Sequence, residues 1–204
     1  MAAILLALAA SASWGVSDFL AGVTTRRLKL AAVMGVTTPL GILAVGAVVV
    51  IRWQAPPGTT YVLWGVATGV LSAAGIAALY QGLTLGRMGV VAPIAATAPL
   101  IPVTYGLVRG DRPSAVQGVG MALAVIGIVF TGRERDVESA RRVASGAGFA
   151  ILSAATFGGG FITLDQASNA DPYWATLVVR VTSSLVVAAA LVATGSRISA
   201  PRSM

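Results

Sequence analysis

Residues 60–83 read TYVLWGVATGVLSAAGIAALYQGL, a run of 24 with no Asp, Glu, Lys or Arg. About 20 apolar residues in a helix cross the roughly 30 Å hydrocarbon core of a bilayer, so this stretch predicts a transmembrane helix. Working outward, six more segments share its character: Ala2–Val23, Leu30–Ile51, Met88–Val108, Ser114–Thr131, Gly146–Gln166 and Pro172–Thr194. The expected fold class is all-α, a polytopic helical membrane bundle of about seven transmembrane helices. The breaks are short. Pro56, Pro57 and Gly58 signal a turn, Gly86 is placed to end a helix, and residues 109–113 read RGDRP. Only residues 132–145 make a long polar stretch, holding Arg133, Glu134, Arg135, Asp136, Glu138, Arg141 and Arg142.

Composition agrees. Of 204 residues, 56% are hydrophobic and 10% charged, with a mean hydropathy of +0.86. A soluble domain is about 25% charged, so a water-soluble enzyme and a disordered chain are both excluded. The net charge of +7 and pI near 11.1 invite a nucleic-acid reading. Yet the basic residues lie in short clusters between apolar runs, which is the arrangement of membrane loops; no nucleic-acid partner is expected. The chain has no Cys and no His. Disulfides, thiolate metal sites, cysteine nucleophiles and histidine bases are therefore absent, and neither a metal, a cofactor nor enzymatic activity is expected.

Trp53, Tyr61 and Trp64 flank the second loop, and Tyr173 and Trp174 follow the sixth segment, as in an interfacial aromatic belt. The pairs Gly65/Gly69, Gly82/Gly86 and Gly106/Gly110 have the four-residue spacing of close helix contacts; chance is the competing reading in a chain with 24 glycines. Ala10-Ser11-Ala12 has the form of a signal-peptide cleavage site, but no basic residue precedes the run and it continues to Val23. Loops after the first, third and fifth segments, with the tail, carry 10 Lys/Arg against 3 on the other side. The positive-inside rule then places the N-terminus outside.

Ser11-Ala12-Ser13-Trp14-Gly15 is echoed by Ala154-Ala155-Thr156-Phe157-Gly158, and Gly35-Val36-Thr37-Thr38 by Arg180-Val181-Thr182-Ser183, at offsets of 143 and 145. Either Ala/Gly-rich helices coincide by chance, or a five-helix unit repeats. An odd helix number would invert the second copy, the architecture of many secondary transporters. The expected organisation is a first five-helix repeat over 1–132, a polar loop over 133–145, and an incomplete second repeat of two helices and a tail over 146–204.

Several motifs then resemble one family. Ser13-Trp14-Gly15-Val16-Ser17-Asp18-Phe19, Ala78-Leu79-Tyr80-Gln81-Gly82-Leu83, Gly86-Arg87-Met88-Gly89-Val90-Val91-Ala92-Pro93-Ile94 and Gly110-Asp111-Arg112-Pro113-Ser114 are similar to those of EamA-type proteins of the drug/metabolite transporter superfamily. The last motif has Asp where Glu is usual. Leu164-Asp165-Gln166-Ala167 and Asp171-Pro172-Tyr173-Trp174-Ala175 resemble the opening of the second repeat. The resemblance implies two inverted five-helix repeats, transport of small metabolites or drugs, and a cytoplasmic N-terminus, against the loop-charge count. Expected partners are the lipid bilayer and a small-molecule substrate, with a homodimer as a further option. The expected location is the cell membrane, multi-pass, of the bacterial inner-membrane type.

The residues expected to line the pathway or couple transport are Trp14, Ser17, Asp18, Tyr80, Gln81, Pro93, Thr97, Asp165 and Arg180. Asp18 lies about 8 Å inside its segment. An ionisable group in the membrane is by default a functional hypothesis, here a proton-coupling or substrate-binding carboxylate; the alternatives are a structural partner for Arg26 or Arg27 and simple exposure at the head groups. Arg180 lies about 10 Å inside the last segment. It pairs with Asp165 or Asp18, faces an anionic substrate, or snorkels outward. Ser11, Trp14, Ser17 and Asp18 share helical spacing, as do Thr68, Ser72 and Tyr80 beside Gln81; Thr97 and Thr104 are seven apart. Such hydroxyls line a path or, more commonly, bond carbonyls of their own helix. Pro93, Pro99 and Pro102 in one span predict a kinked, partly unwound helix beside a cavity, with a bend that improves packing as the alternative reading. Gly158-Gly159-Gly160 predicts close helix contact rather than nucleotide binding. The competing functions are a non-transporting membrane remnant or assembly partner and, less favoured, a membrane-embedded enzyme acting on lipid-linked substrates.

Overall fold

The computed structural model describes residues 2–25, 30–131 and 140–193. The Arg26, Arg27 and Lys29 cluster, residues 132–139 of the polar loop and the tail from Thr194 lie outside the described residues, as does the side chain of Asp18.

The described chain is helical, with no strand among the described residues. The helices are α1 (Ala2–Thr25), α2 (Leu30–Arg52), α3 (Thr59–Leu85), α4 (Met88–Ala95), α5 (Leu100–Val108), α6 (Ala115–Thr131), α7 (Ala140–Ser168) and α8 (Pro172–Ala193). Every expected span forms helix, the fourth with a break, and the bundle is of the membrane type. Thr59–Leu85, Met88–Val108, Gly146–Ser168 and Pro172–Ala190 are long and apolar enough to cross a bilayer. Shorter apolar stretches lie in α1, α2 and α6.

The fourth span is two helices, parted at residues 96–99, the interruption that its three prolines predict. One boundary differs from the sequence reading: α7 begins at Ala140, so Arg141 and Arg142 are helical rather than part of a loop. Hydropathy marks where lipid ends, not where a helix ends; Ala140-Arg141-Arg142-Val143-Ala144 holds no Pro or Gly to stop it.

The centre is an antiparallel pair, α3 on α7, along which Gly86 meets Gly146, Gly75 meets Thr156 and Phe157, and Thr68 meets Thr163. Helix α8 runs parallel to α3, since Gly65 faces Val178 and Gly69 faces Thr182. Helix α2 runs antiparallel to α8, and α4 and α5 follow α7. Helix α6 packs on α4, and α1 on α2 and α3.

Packing is inverted relative to a soluble protein. Buried apolar side chains are mostly small: Ala73, Ala78, Ala150, Ala154, Ala167 and Ala175. Large ones point outward, with Ile51, Val108, Val116 and Val192 each 82% exposed. Lipid solvates Leu and Val as well as a protein core does, so association comes from close backbone packing. Glycine makes that packing possible. A Cβ on Gly65 would lie 2.9 Å from Val178 Cγ1, and one on Gly86 2.8 Å from Gly146 Cα.

The third glycine pair has another cause. Gly110 carries φ +99° and has open space around it. The Gly110 N–H donates to Leu107 O and the Asp111 N–H to Gly106 O, the six-to-one and five-to-two pattern of a Schellman end to α5. Gly106/Gly110 is thus a helix terminator, not a packing pair. Helix α6 starts with a reciprocal capping box: Ser114 N–H donates to Gln117 Oε1 at 2.8 Å and Gln117 N–H to Ser114 Oγ at 3.3 Å.

Candidate functional site

The interrupted span is the strongest irregular feature. Pro93 lies inside α4, Pro99 caps α5 and Pro102 sits in its first turn. A proline has no N–H to give, so regular i to i−4 bonding fails here. Through the break the chain closes tighter turns: Thr97 N–H to Ile94 O, Ala98 N–H to Ala95 O, Leu100 N–H to Thr97 O and Ile101 N–H to Ala98 O. The Thr97 hydroxyl donates to Ile94 O at 2.7 Å. Freed carbonyls are thereby re-satisfied, as an apolar environment requires.

Helix α7 supports this break through Gly158. A Cβ there would lie 2.6 Å from Ile101 Cβ and 2.9 Å from Ala98 O. The glycine triplet therefore serves close contact, with Gly158 the position that needs it. Further along α7, Tyr80, Ile94, Ala95 and Phe157 pack on the cluster of Leu79, Val91 and Ala150. Tyr80 and the segment carrying Pro93 and Thr97 thus meet around α7.

Polar bonds tie α3 to α7. Thr68 and Thr163 hydroxyls are 2.7 Å apart, and buried Ser153 donates to Gly75 O at 3.0 Å. Thr68 also reaches Trp64 O at 2.9 Å. The ladder beginning at Thr68 therefore opens in a helix contact, and Thr104 bonds Leu100 O in its own helix.

The other expected residues are spread out. Trp14, 58% exposed, and Ser17 lie on the outer surface of α1. Gln81 is exposed on α3. Asp165 is exposed near the end of α7 and accepts from Gln166 Nε2 at 3.2 Å. It does not pair with Arg180, which lies on α8 against Gly41 of α2. A partnership of Asp165 with Arg180 is excluded because α7 and α8 are antiparallel neighbours whose turn, at 169–171, leaves Asp165 beside the turn and Arg180 deep in the span.

Sequence reasoning missed a polar latch at this same end of the bundle. Arg52, ending α2, forms an ion pair with Asp171 at 3.1 Å. Its guanidinium stacks 4.1 Å over the Tyr173 ring and also bonds Gln54 Oε1. Trp174 Nε1 donates to Gln54 O at 3.2 Å. Asp171 Oδ1 caps α8 by accepting from the N–H groups of Tyr173 and Trp174 at 2.8 and 2.9 Å. The Trp174 N–H, then the Tyr173 N–H and the charge of Arg52, hold the Asp171 carboxyl below the usual range against the opposing effect of desolvation. An Asp directly before a Pro is a readable helix start. Its partner 119 residues away is not.

No group of His, Cys, Asp or Glu among the described residues is arranged to hold a metal. No curated protein and no solved structure matches the chain. The model of the EamA-like transporter family matches residues 1–133, about two thirds of the sequence. With its apolar helices and interrupted span, the chain belongs to the EamA-like transporter family.

Proposed function

We propose that the chain is a secondary transporter of small metabolites or drug-like molecules in the cell membrane, with proton coupling through Asp18. Membership of a transporter family gives the class. The observation that carries the reading is the interrupted span: α4 and α5 part at residues 96–99 within an otherwise apolar 21-residue stretch. Irregular backbone at membrane depth is tolerated where it is buried in protein or lines a wet cavity, and broken helices are a recurring element of transporter sites. Helices α7 and α8 stand as the start of an inverted second repeat, packed on the first five spans through α3.

The test is flux. Reconstituted in liposomes with an imposed proton gradient, the chain moves a solute from a metabolite panel and moves protons with it. Asp18→Asn abolishes the proton-coupled part. Flux unchanged by Asp18→Asn removes that carboxylate from the mechanism. No flux of any solute favours a non-transporting assembly role.

A further inference from the structure

Arg180 is an exposed cation deep in an apolar span. Among the described side chains, which do not include that of Asp18, its guanidinium has no carboxylate partner: the ion pair found there joins Arg52 to Asp171, and Asp165 is engaged by Gln166. The side chain crosses to α2 at Gly41, where a Cβ would stand 3.4 Å from Cδ and Nε and 3.5 Å from Cζ. Glycine thus provides the seat.

The direction of the side chain matters. Arg52 and Asp171 mark one level at the end of the α2/α8 seam. Arg180 is nine residues past Asp171, about 13 Å along α8, and Gly41 eleven before Arg52, about 16 Å along α2. The guanidinium therefore does not run back toward that end, as a snorkelling arginine does. Ser183 and Ser184 hydroxyls, one turn on, are spent on the Arg180 carbonyl, at 3.2 and 2.6 Å. A charge held at such depth without a partner among the described side chains is costly unless water or a counter-ion meets it. The planar fork of donors matches carboxylate and phosphate.

We propose that Arg180, seated on Gly41, is an oxyanion-binding point, and that the transported molecule carries a carboxylate or phosphate group. This rests on the transport reading for its role, but its test does not need flux.

The chain has no cysteine, so Arg180→Cys introduces a single thiol. In nanodiscs of neutral lipid, a charged, bilayer-impermeant thiol reagent labels that variant. Thermal melts of the unaltered chain shift upward with inorganic phosphate or succinate at matched ionic strength. The half-maximal concentration rises at least about tenfold in Arg180→Gln, the scale of a lost charge-assisted hydrogen bond, and less in Arg180→Lys. Any of four results overturns the proposal: no label, no response to either anion, an equal response in Arg180→Gln, or Arg180-dependent stabilisation by phosphatidylglycerol alone, which makes the oxyanion a lipid head group. Anion binding without flux retains the site and removes the transport reading. Flux without anion binding does the reverse.

Discussion

Replacing Gly158 by Ala tests whether the broken span leans on α7. The added Cβ would meet Ile101 Cβ at 2.6 Å and Ala98 O at 2.9 Å. The second is a backbone atom, fixed by the turn that bridges α4 and α5, so no side-chain rotation relieves the clash. Overpacking of this kind costs about 1–3 kcal/mol. Gly148→Ala is the matched control. It lies on the same helix with nothing within 4 Å of its new Cβ. Both changes gain the same helix-propensity benefit, about 0.5–1 kcal/mol. The difference between them therefore isolates the overpacking, about 1–3 kcal/mol. The assay is reversible unfolding of the detergent-solubilised chain, with aggregation-free thermal melts as a cross-check. Gly148→Ala is expected to melt at or above the unaltered chain, and Gly158→Ala below it. Equal melting of the two variants refutes the claim that α7 supports the break.

Three further predictions concern the polar contacts. At the latch, Asp171→Ala removes both the helix cap and the ion pair and destabilises by about 1–2 kcal/mol, while Asp171→Asn keeps a capping oxygen and loses less; a double-mutant cycle with Arg52→Gln gives a coupling of up to about 1 kcal/mol, and zero coupling sinks the pairing. Because the folded Asp171 carboxyl is held low, its stabilising share is complete above the unfolded value of about 3.9 and is lost progressively as pH falls from there through the lower folded value; in melts recorded from neutral pH downward, Asp171→Asn erases that acid-side loss. Ser153→Ala strips the buried bond to Gly75 O and costs about 1 kcal/mol in the same unfolding assay, whereas a neutral result means that contact is not formed.

Much of the molecule is written in local composition. The seven apolar runs are legible because each must satisfy its own backbone in lipid, and only a helix does so within one segment. The break in the fourth span is equally local, since Pro93, Pro99 and Pro102 lack the donors a continuous helix needs. Spacing alone could not sort the glycine pairs. Gly65/Gly69 and Gly82/Gly86 meet neighbouring helices, while Gly106/Gly110 closes a helix end. The start of α7 escaped hydropathy because Arg141 and Arg142 are good helix formers outside an apolar run.

What the residues determined unaided is the medium, the helices and the family, because charge-free length and donor-less prolines act within a few residues of themselves. Which helix touches which was settled in three dimensions. Gly158 owes its role to Ala98 and Ile101, Arg52 finds Asp171 across 119 positions, and Arg180 comes to rest on Gly41. Lipid gives no oily-side signal to mark a buried face, so contacts between spans depend on the fit of small residues that only the assembled bundle reveals.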